Sequence, residues 1–379
     1  MMPRTLFTAE HEDFRNSFRR FLQDEVAPRH EQWESQQYVD RDIWKRAGEL
    51  GFLCVTMPEE YGGAGVDRLF SVILMEEQAR MGLSGPGWSL HSDIVANYIM
   101  NFGSTEQKAR WLPPMASGDI IGAIAMTEPG TGSDLQSIKT TAVEDGEDYI
   151  VNGSKIFITN GYNSDLAVVV VKTGDKNGGA RDISLLLMEA NSPGFTKGKP
   201  LNKIGMKAQD TCELFFDNVR VPKANLLGAA GMGFGMLMKE LAWERLIIAI
   251  TAVSGCEFAL EHTIRYTKER SVFGKPVAAY QNTRFKLAEM KAETQIARVF
   301  VDRCIELMLD NQLSVAAAAT AKYWCSDLQG KVNDECVQLH GGYGYILDYP
   351  IARAYIDSRA QRIYGGSNEI MKELISRTL

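Results

Sequence analysis

Leu237, Leu241, Glu244, Ile248, Ala252 and Gly255 follow one another at steps of three and four, so on a helix they share one side and a single carboxylate interrupts an apolar stripe. Trp243, Leu246, Ile247, Ala249, Ile250 and Val253 make the flanking sides apolar as well, which places this helix inside the protein on most faces. Burial raises a carboxyl pKa toward the range useful to a general base, while the adjacent Arg245 pulls it back. Periodicity alone equally allows a plainer role, a buried Glu244 ion-paired with an Arg or Lys of another helix.

Other groups of residues have the composition of ligand loops. Ile120 to Met126 reads as a strand opening into Thr127-Glu128-Pro129-Gly130-Thr131-Gly132-Ser133-Asp134, where small residues let successive backbone N–H groups converge on an anion or a flavin edge. Taken by itself such a loop is as readily a plain turn. Gly341-Gly342-Tyr343-Gly344 is a weak signal when free-standing. Gly231-Met232-Gly233-Phe234-Gly235 lacks the spacing of a dinucleotide fingerprint and follows no strand-helix-strand unit, so a Rossmann reading is excluded.

Three segments must position these groups. Thr8 can cap a first helix in which Phe14, Phe18, Phe21, Leu22 and Val26 repeat at helical steps, and further helices are expected over Asp42–Leu50, Leu69–Met81 and Ile94–Phe102. From about Ile120 the pattern turns to short strands: Tyr149–Val151 and Ile156–Thr159, read as a hairpin around Asn152-Gly153, then Ala167–Val171, Ile183–Met188 and Glu213–Val221. Helical spacing returns over Gly235–Lys268, Asn282–Asp310 and Ser314–Leu339. The expected architecture is multi-domain α+β: an N-terminal helical domain over 1–119, a middle antiparallel β-domain over 120–229 and a C-terminal domain like a four-helix bundle over 230–379.

Gln338-Leu339-His340-Gly341-Gly342-Tyr343-Gly344-Tyr345 and Ile363-Tyr364-Gly365-Gly366-Ser367-Asn368-Glu369-Ile370, with Thr127–Asp134, Phe157–Gly161, Arg270–Pro276 and Asp210–Phe216, resemble the acyl-CoA dehydrogenase family. The resemblance covers essentially the whole chain and is strongest to the long-chain branch. In most of that family the residue after the Tyr of the second motif is the glutamate that removes the substrate's α-proton, and here that place is Gly365. The long-chain and isovaleryl-type branches carry the base on another helix, at the point matched by Glu244. The resemblance thus implies Glu244 as base, the Gly365 backbone N–H as a donor to the thioester oxygen, Arg245 orienting the carboxylate, and Tyr364 lining the slot. Pro86 and Gly87, in Ser84-Gly85-Pro86-Gly87, match the long-chain branch, where small residues leave room at the cavity's base.

For the cofactor the resemblance implies FAD. Met126, Thr127 and Gly132 would meet the flavin, and Ser133 the pyrophosphate or the CoA side of the substrate site. Phe157 would stack on the ring, where the family more often has Trp, and Thr159 would donate near N5. Arg270, Phe273 and Gln281 would hold the pyrophosphate end of a neighbouring subunit's FAD. Gln338, Gly341 and Gly342 would lie against the same cofactor, and Ser367 and Glu369 would complete the set. The implied reaction is α,β-desaturation of an acyl-CoA to the trans-2-enoyl-CoA in fatty-acid β-oxidation. Electron-transfer flavoprotein is the implied acceptor and a homotetramer, a dimer of dimers, the implied assembly. An acyl-CoA oxidase or flavin monooxygenase on the same scaffold, and a non-catalytic FAD-binding relative, are the alternatives.

Composition narrows the remaining classes. With 379 residues, 45% hydrophobic and 23% charged, the chain is ordinary for a globular protein, and a net charge of −7 weighs against nucleic-acid partners or an anionic membrane surface. Six dispersed cysteines show no Cys-x-x-Cys and no metal-ligand spacing, and read as buried thiols of a reducing compartment. Neither a signal core nor a transit segment is seen at Met1 to Phe7, and no membrane insertion is expected, so the expected location is cytoplasmic.

Overall fold

The computed structural model describes residues 2–174 and 179–379. Its N-terminal unit contains α1 (Ala9–Phe21), α2 (His30–Gln36), α3 (Arg41–Glu49), α4 (Arg68–Arg80), α5 (Ala96–Phe102) and α6 (Thr105–Ala116). Phe18, Phe21, Trp33, Trp44 and Trp88 fill its core. A wide π-type turn over Leu90–Val95 leads directly into α5. Helix α6 was not among the expected helices although its start is written locally: Ser104 Oγ accepts from the Gln107 N–H while Gln107 Oε1 accepts from the Ser104 N–H. Pro113 and Pro114 lie near the end of that helix.

The middle unit is one eight-stranded sheet built from β1 (Gly122–Ala125), β2 (Thr141–Asp145), β3 (Asp148–Thr159), β4 (Leu166–Lys172), β5 (Ile183–Glu189), β6 (Phe195–Lys197), β7 (Thr211–Pro222) and β8 (Leu226–Leu227). Its order is β6-β7-β3-β2-β4-β5-β8, mostly antiparallel, with β1 running parallel to β4. Strands β4 and β5 are near-continuous apolar runs because both faces are covered. Val168, Val170, Leu185 and Leu187 pack with Tyr98, Trp111 and Met115 of the helical unit, whereas Val169, Leu186 and Met188 join Leu214 and Phe216 in a second core.

Asn152-Gly153 does not turn the chain. It lies inside β3 at a register shift against β7, and the true hairpin is the two-residue turn between Asp145 and Asp148. A Cβ on Gly153 would stand 2.5 Å from Thr140 Oγ1, and Asn152 Oδ1 accepts from the Asn218 N–H. The Asn-Gly pair therefore serves a bulge and a close backbone approach, the other use of glycine in a strand.

The C-terminal unit comprises α7 (Gly233–Glu269), a ribbon of β9 (Ser271–Val272) and β10 (Lys275–Pro276), α8 (Gln281–Leu309), α9 (Val315–His340), α10 (Pro350–Ser358) and α11 (Asn368–Ser376). The apolar sides of α7 are spent on internal packing: Leu246, Ala249, Ile250 and Val253 share a core with Val301 of α8, Cys325 and Val332 of α9, and Val72 of α4. All six cysteines are buried and unpaired.

Candidate active site

Glu244 projects from the first third of α7 into the seam with α5, where it is 7% exposed. Its Oε1 accepts a 2.8 Å hydrogen bond from the Tyr98 hydroxyl. Burial pushes the carboxyl up to about 7, with Glu240 one turn earlier adding like-charge repulsion, against the pull of the Tyr98 hydroxyl and of Arg245. Glu240 is itself raised by burial and is held by Asn101 Nδ2 at 2.9 Å. A carboxyl poised near neutrality in a dry seam is the form in which a glutamate abstracts protons at physiological pH.

Arg245 does not orient that carboxylate. No ion pair or hydrogen bond joins the two side chains among the described residues, because successive residues on a helix point about 100° apart. The orienting group is Tyr98, which the sequence reading missed; it lies far off in the chain and no local pattern marks it. Arg245 is buried, its Nε has no hydrogen-bond partner, and burial lowers its pKa.

Gly365 stands against the same face of α7. A Cβ added to it would lie 2.3 Å from Ile248 Cδ1, one turn beyond Glu244, and its φ of +66° belongs to the left-handed region. The Gly365 N–H makes no hydrogen bond among the described residues, so it is free to donate to a ligand. Tyr364 beside it is 39% exposed. Ser367 is committed to capping α11 through the Ile370 N–H, and Glu369 is exposed in the first turn of that helix.

On the sheet, the loop after β1 is pinned rather than free. Lys155, fully buried on β3, donates to the Met126 carbonyl at 3.0 Å and to Glu128 Oε1 at 2.8 Å. The Thr127 carbonyl accepts from the Ile156 N–H, and Glu128 also accepts from the Lys139 and Thr140 N–H groups. This anchoring leaves Gly130, Gly132 and Ser133 exposed, with open space around both glycines. Two residues on, Phe157 has φ +61° at a register shift in β3 and is 64% exposed. A bulge that turns a phenylalanine outward from a sheet supplies a flat apolar surface at some backbone cost. Thr159 ends the strand, and Asn160 Nδ2 donates to the Gly87 carbonyl at 3.0 Å, which joins the Pro86-Gly87 loop to this segment. Pro86 and Gly87 are buried.

The remaining candidates gather at the far end of the bundle. Arg270 caps α7, roughly 39 Å along the helix from Glu244 at 1.5 Å per residue. Its guanidinium lies 5.6 Å from the Tyr343 ring centroid and pairs with no carboxylate among the described residues. Phe273, at the ribbon tip, is 98% exposed with φ +48°. Gln281 is exposed eleven residues after Arg270, and Gln338, Gly341 and Gly342 are exposed in the stretch that leads to Tyr343. The ribbon and the α9 terminus thus lie far along α7 from Glu244, so one chain does not bring all the candidates together. The outward Phe157, the open glycine loop and the unpaired Arg270 suit FAD: a flat ring face, N–H groups for the ring edge, and a cation for the pyrophosphate.

Three family models match in succession: acyl-CoA dehydrogenase N-terminal domain over residues 8–119, middle domain over 123–219 and C-terminal domain over 231–379. The mitochondrial long-chain specific acyl-CoA dehydrogenase of Rattus norvegicus is 52% identical over 377 residues, 99% of this chain and 88% of the relative. The crystal structure of an acyl-CoA dehydrogenase from Geobacillus kaustophilus superposes with a TM-score of 0.98 at 47% identity, over 99% of each chain. An acyl-CoA dehydrogenase from Bacillus anthracis solved with FAD has a TM-score of 0.93 at 32% identity, over 98% of this chain and 67% of that one. With its three units in this order and a buried carboxyl between α5 and α7, the chain belongs to the acyl-CoA dehydrogenase family, the FAD-dependent oxidoreductases that desaturate acyl-CoA thioesters.

Proposed function

We propose that Glu244 is the base that removes the α-proton of an acyl-CoA thioester, in a member of this family acting on medium, long or branched chains in fatty-acid β-oxidation. The observation that carries the reading is a carboxyl that burial raises to about 7 and that a tyrosine hydroxyl holds in one direction. When bound, FAD supplies the two-electron acceptor for the hydrogen that leaves Cβ.

The chain's own residues do the rest. Tyr98 fixes the direction of the carboxylate before the proton moves. The unpaired Gly365 N–H donates to the thioester oxygen as enolate charge develops, a type of contact worth about 10² to 10³ in rate. The apolar wall of Trp243, Ile247 and Ile248 keeps water from the seam and so preserves both effects. Phe157 and the Thr127–Ser133 loop bind the flavin of the same chain, while Arg270, Phe273, Gln281, Gln338, Gly341 and Gly342 serve a neighbour's, which makes a homotetramer part of the site. The distance between the two sets along α7 supports this division. Electron-transfer flavoprotein is the proposed acceptor and the cytoplasm the proposed location. The chain-length reading is supported by the rat relative's long-chain name and by the small Pro86-Gly87 loop.

Anaerobic titration of the FAD-loaded protein with straight and branched acyl-CoAs from C4 to C18 tests both parts. Bleaching of the flavin is expected, strongest with longer or branched chains, and is lost in Glu244→Gln although FAD and ligand still bind. Normal bleaching by that variant removes Glu244 from its role, and rapid reoxidation by oxygen with product bound favours an oxidase.

A further inference from the structure

Five lysines and arginines are buried among the described residues: Arg15, Lys155, Arg245, Arg298 and Lys322. Arg15 and Arg298 pair with Glu76, and Lys155 with Glu128, whereas Arg245 and Lys322 have no carboxylate within ion-pair distance. Taking an ammonium out of water with no carboxylate in contact costs on the order of several kcal/mol unless other groups replace its hydration, so the position of Lys322 needs a reason.

Lys322 is fully buried on α9, and its Nζ donates to the Gly366 carbonyl at 2.7 Å and to Asn368 Oδ1 at 2.8 Å. Asn368 is in turn clamped to α9: its Nδ2 donates to Ser326 Oγ at 3.0 Å and to Asp327 Oδ1 at 2.9 Å. At the other end of the loop, Arg362 lies across Gly330, where a Cβ would stand 1.7 Å from its Nη2, and donates to the Asp327 carbonyl. Lys322, Ser326 and Gly330 recur every fourth residue, so one face of α9 carries all three contacts. Between these anchors sit Gly365 and Gly366, with φ of +66° and +89°. Two consecutive glycines are the most permissive backbone available, and a donor N–H in such a segment keeps a fixed direction only if something outside it does the holding.

We propose that Lys322 is a positioning residue for the reaction: by gripping the Gly366 carbonyl and Asn368 it fixes where the Gly365 N–H points, and so how well the thioester oxygen is held as charge builds on it. Burial disfavours its charge, Asp327 and Glu369 favour it against Arg245, and the long stem carries one nitrogen to both acceptors at once. This rests on the reading of Gly365 as a donor to the thioester oxygen.

The test uses FAD-loaded protein and 3-thiaoctanoyl-CoA, whose C2 proton is acidified and whose sulfur at position 3 blocks desaturation. Deprotonation at C2 is followed by the long-wavelength absorbance of the complex as a function of pH. Lys322→Met is expected to retain FAD and bind the analogue with unchanged affinity, yet to move the deprotonation midpoint up by about one pH unit, a tenfold loss. Asn368→Ser, which removes one of the two acceptors, shifts it the same way by less. A Lys322→Met midpoint equal to that of the unmodified protein overturns the inference, as does an unmoved Asn368→Ser midpoint if Lys322→Met does not fold. Absence of any Glu244-dependent band in the unmodified protein sinks the parent reading instead, so the two failures are separable.

Discussion

Two glutamates lie equally deep in this protein and have opposite fates. Glu76 on α4, 1% exposed, is ringed by Arg4, Arg15 and Arg298 at 2.7, 3.0 and 2.9 Å. Burial alone would raise it, but Arg298, Arg4 and Arg15 hold it down at about 2. Glu244, 7% exposed, has the Tyr98 hydroxyl as its one hydrogen-bond partner among the described residues, and burial raises it to about 7. Depth alone therefore does not decide whether a buried carboxylate is held ionised; the neighbouring cations do. Glu76 is the plainer role the sequence allowed for Glu244, an ion-paired carboxylate tying the N-terminal unit to α8, realised elsewhere in the molecule.

The sharpest way to break this contrast is to neutralise each in turn. In Glu244→Gln, kcat is expected to fall by about 10² to 10⁴, the usual worth of a positioned base, while Glu76→Gln leaves turnover per flavin within about twofold. Stability reverses the ranking: Glu76→Gln should lose about 3–5 kcal/mol in urea unfolding, because three arginines are left around an uncharged group. A smaller loss would mean that water or other acids already compensate the ring.

The pH dependences should run in opposite directions. Glu244 has a folded pKa near 7 above its ordinary 4.5, so the folded state holds that proton more tightly and ionisation costs stability. The cost starts above pH 4.5 and is complete above pH 7. Glu244→Gln should thus be no more stable than the parent near pH 4, and more stable by about 3 kcal/mol at pH 8, in thermal melts. The Glu76 contribution, from a value lowered to about 2, is present above pH 4.5 and disappears as pH falls toward 2.

Finer substitutions sharpen the contrast without breaking it. Tyr98→Phe removes the one hydrogen bond that favours the ionised carboxylate, worth about 1 kcal/mol, and should move the acid limb of kcat to higher pH by under about one unit. Glu240→Gln removes a repelling neighbour and should move the same limb slightly to lower pH; a shift upward would mean that Glu240 is protonated and donating.

The contrast also explains what could be read from the sequence. The α7 stripe, its length and the interrupting carboxylate depend on spacing within one helix, and the observed ends, Gly233 and Glu269, fall within a few residues of those expected. Tyr98 and the arginines around Glu76 were not legible, since those contacts join residues 146, 72, 61 and 222 positions apart. The resemblance implies an orienting role for Arg245, but it is the next residue on the helix, and there adjacency separates side chains. Asn152-Gly153 was misread for a related reason: the dipeptide reports a backbone conformation, and only Thr140, packed against it across the sheet, decides between a turn and a bulge.

The contact between Gly365 and Ile248 makes the proposed location of the base a ratchet. With glycine in the loop, Ile248 Cδ1 fills the space a Cβ would need and the backbone takes a left-handed shape that side chains rarely adopt. A carboxylate could then return to the loop only if the isoleucine retreated and the backbone refolded together. Sequence change one step at a time would drift around this arrangement while leaving the helix-borne acid where it is.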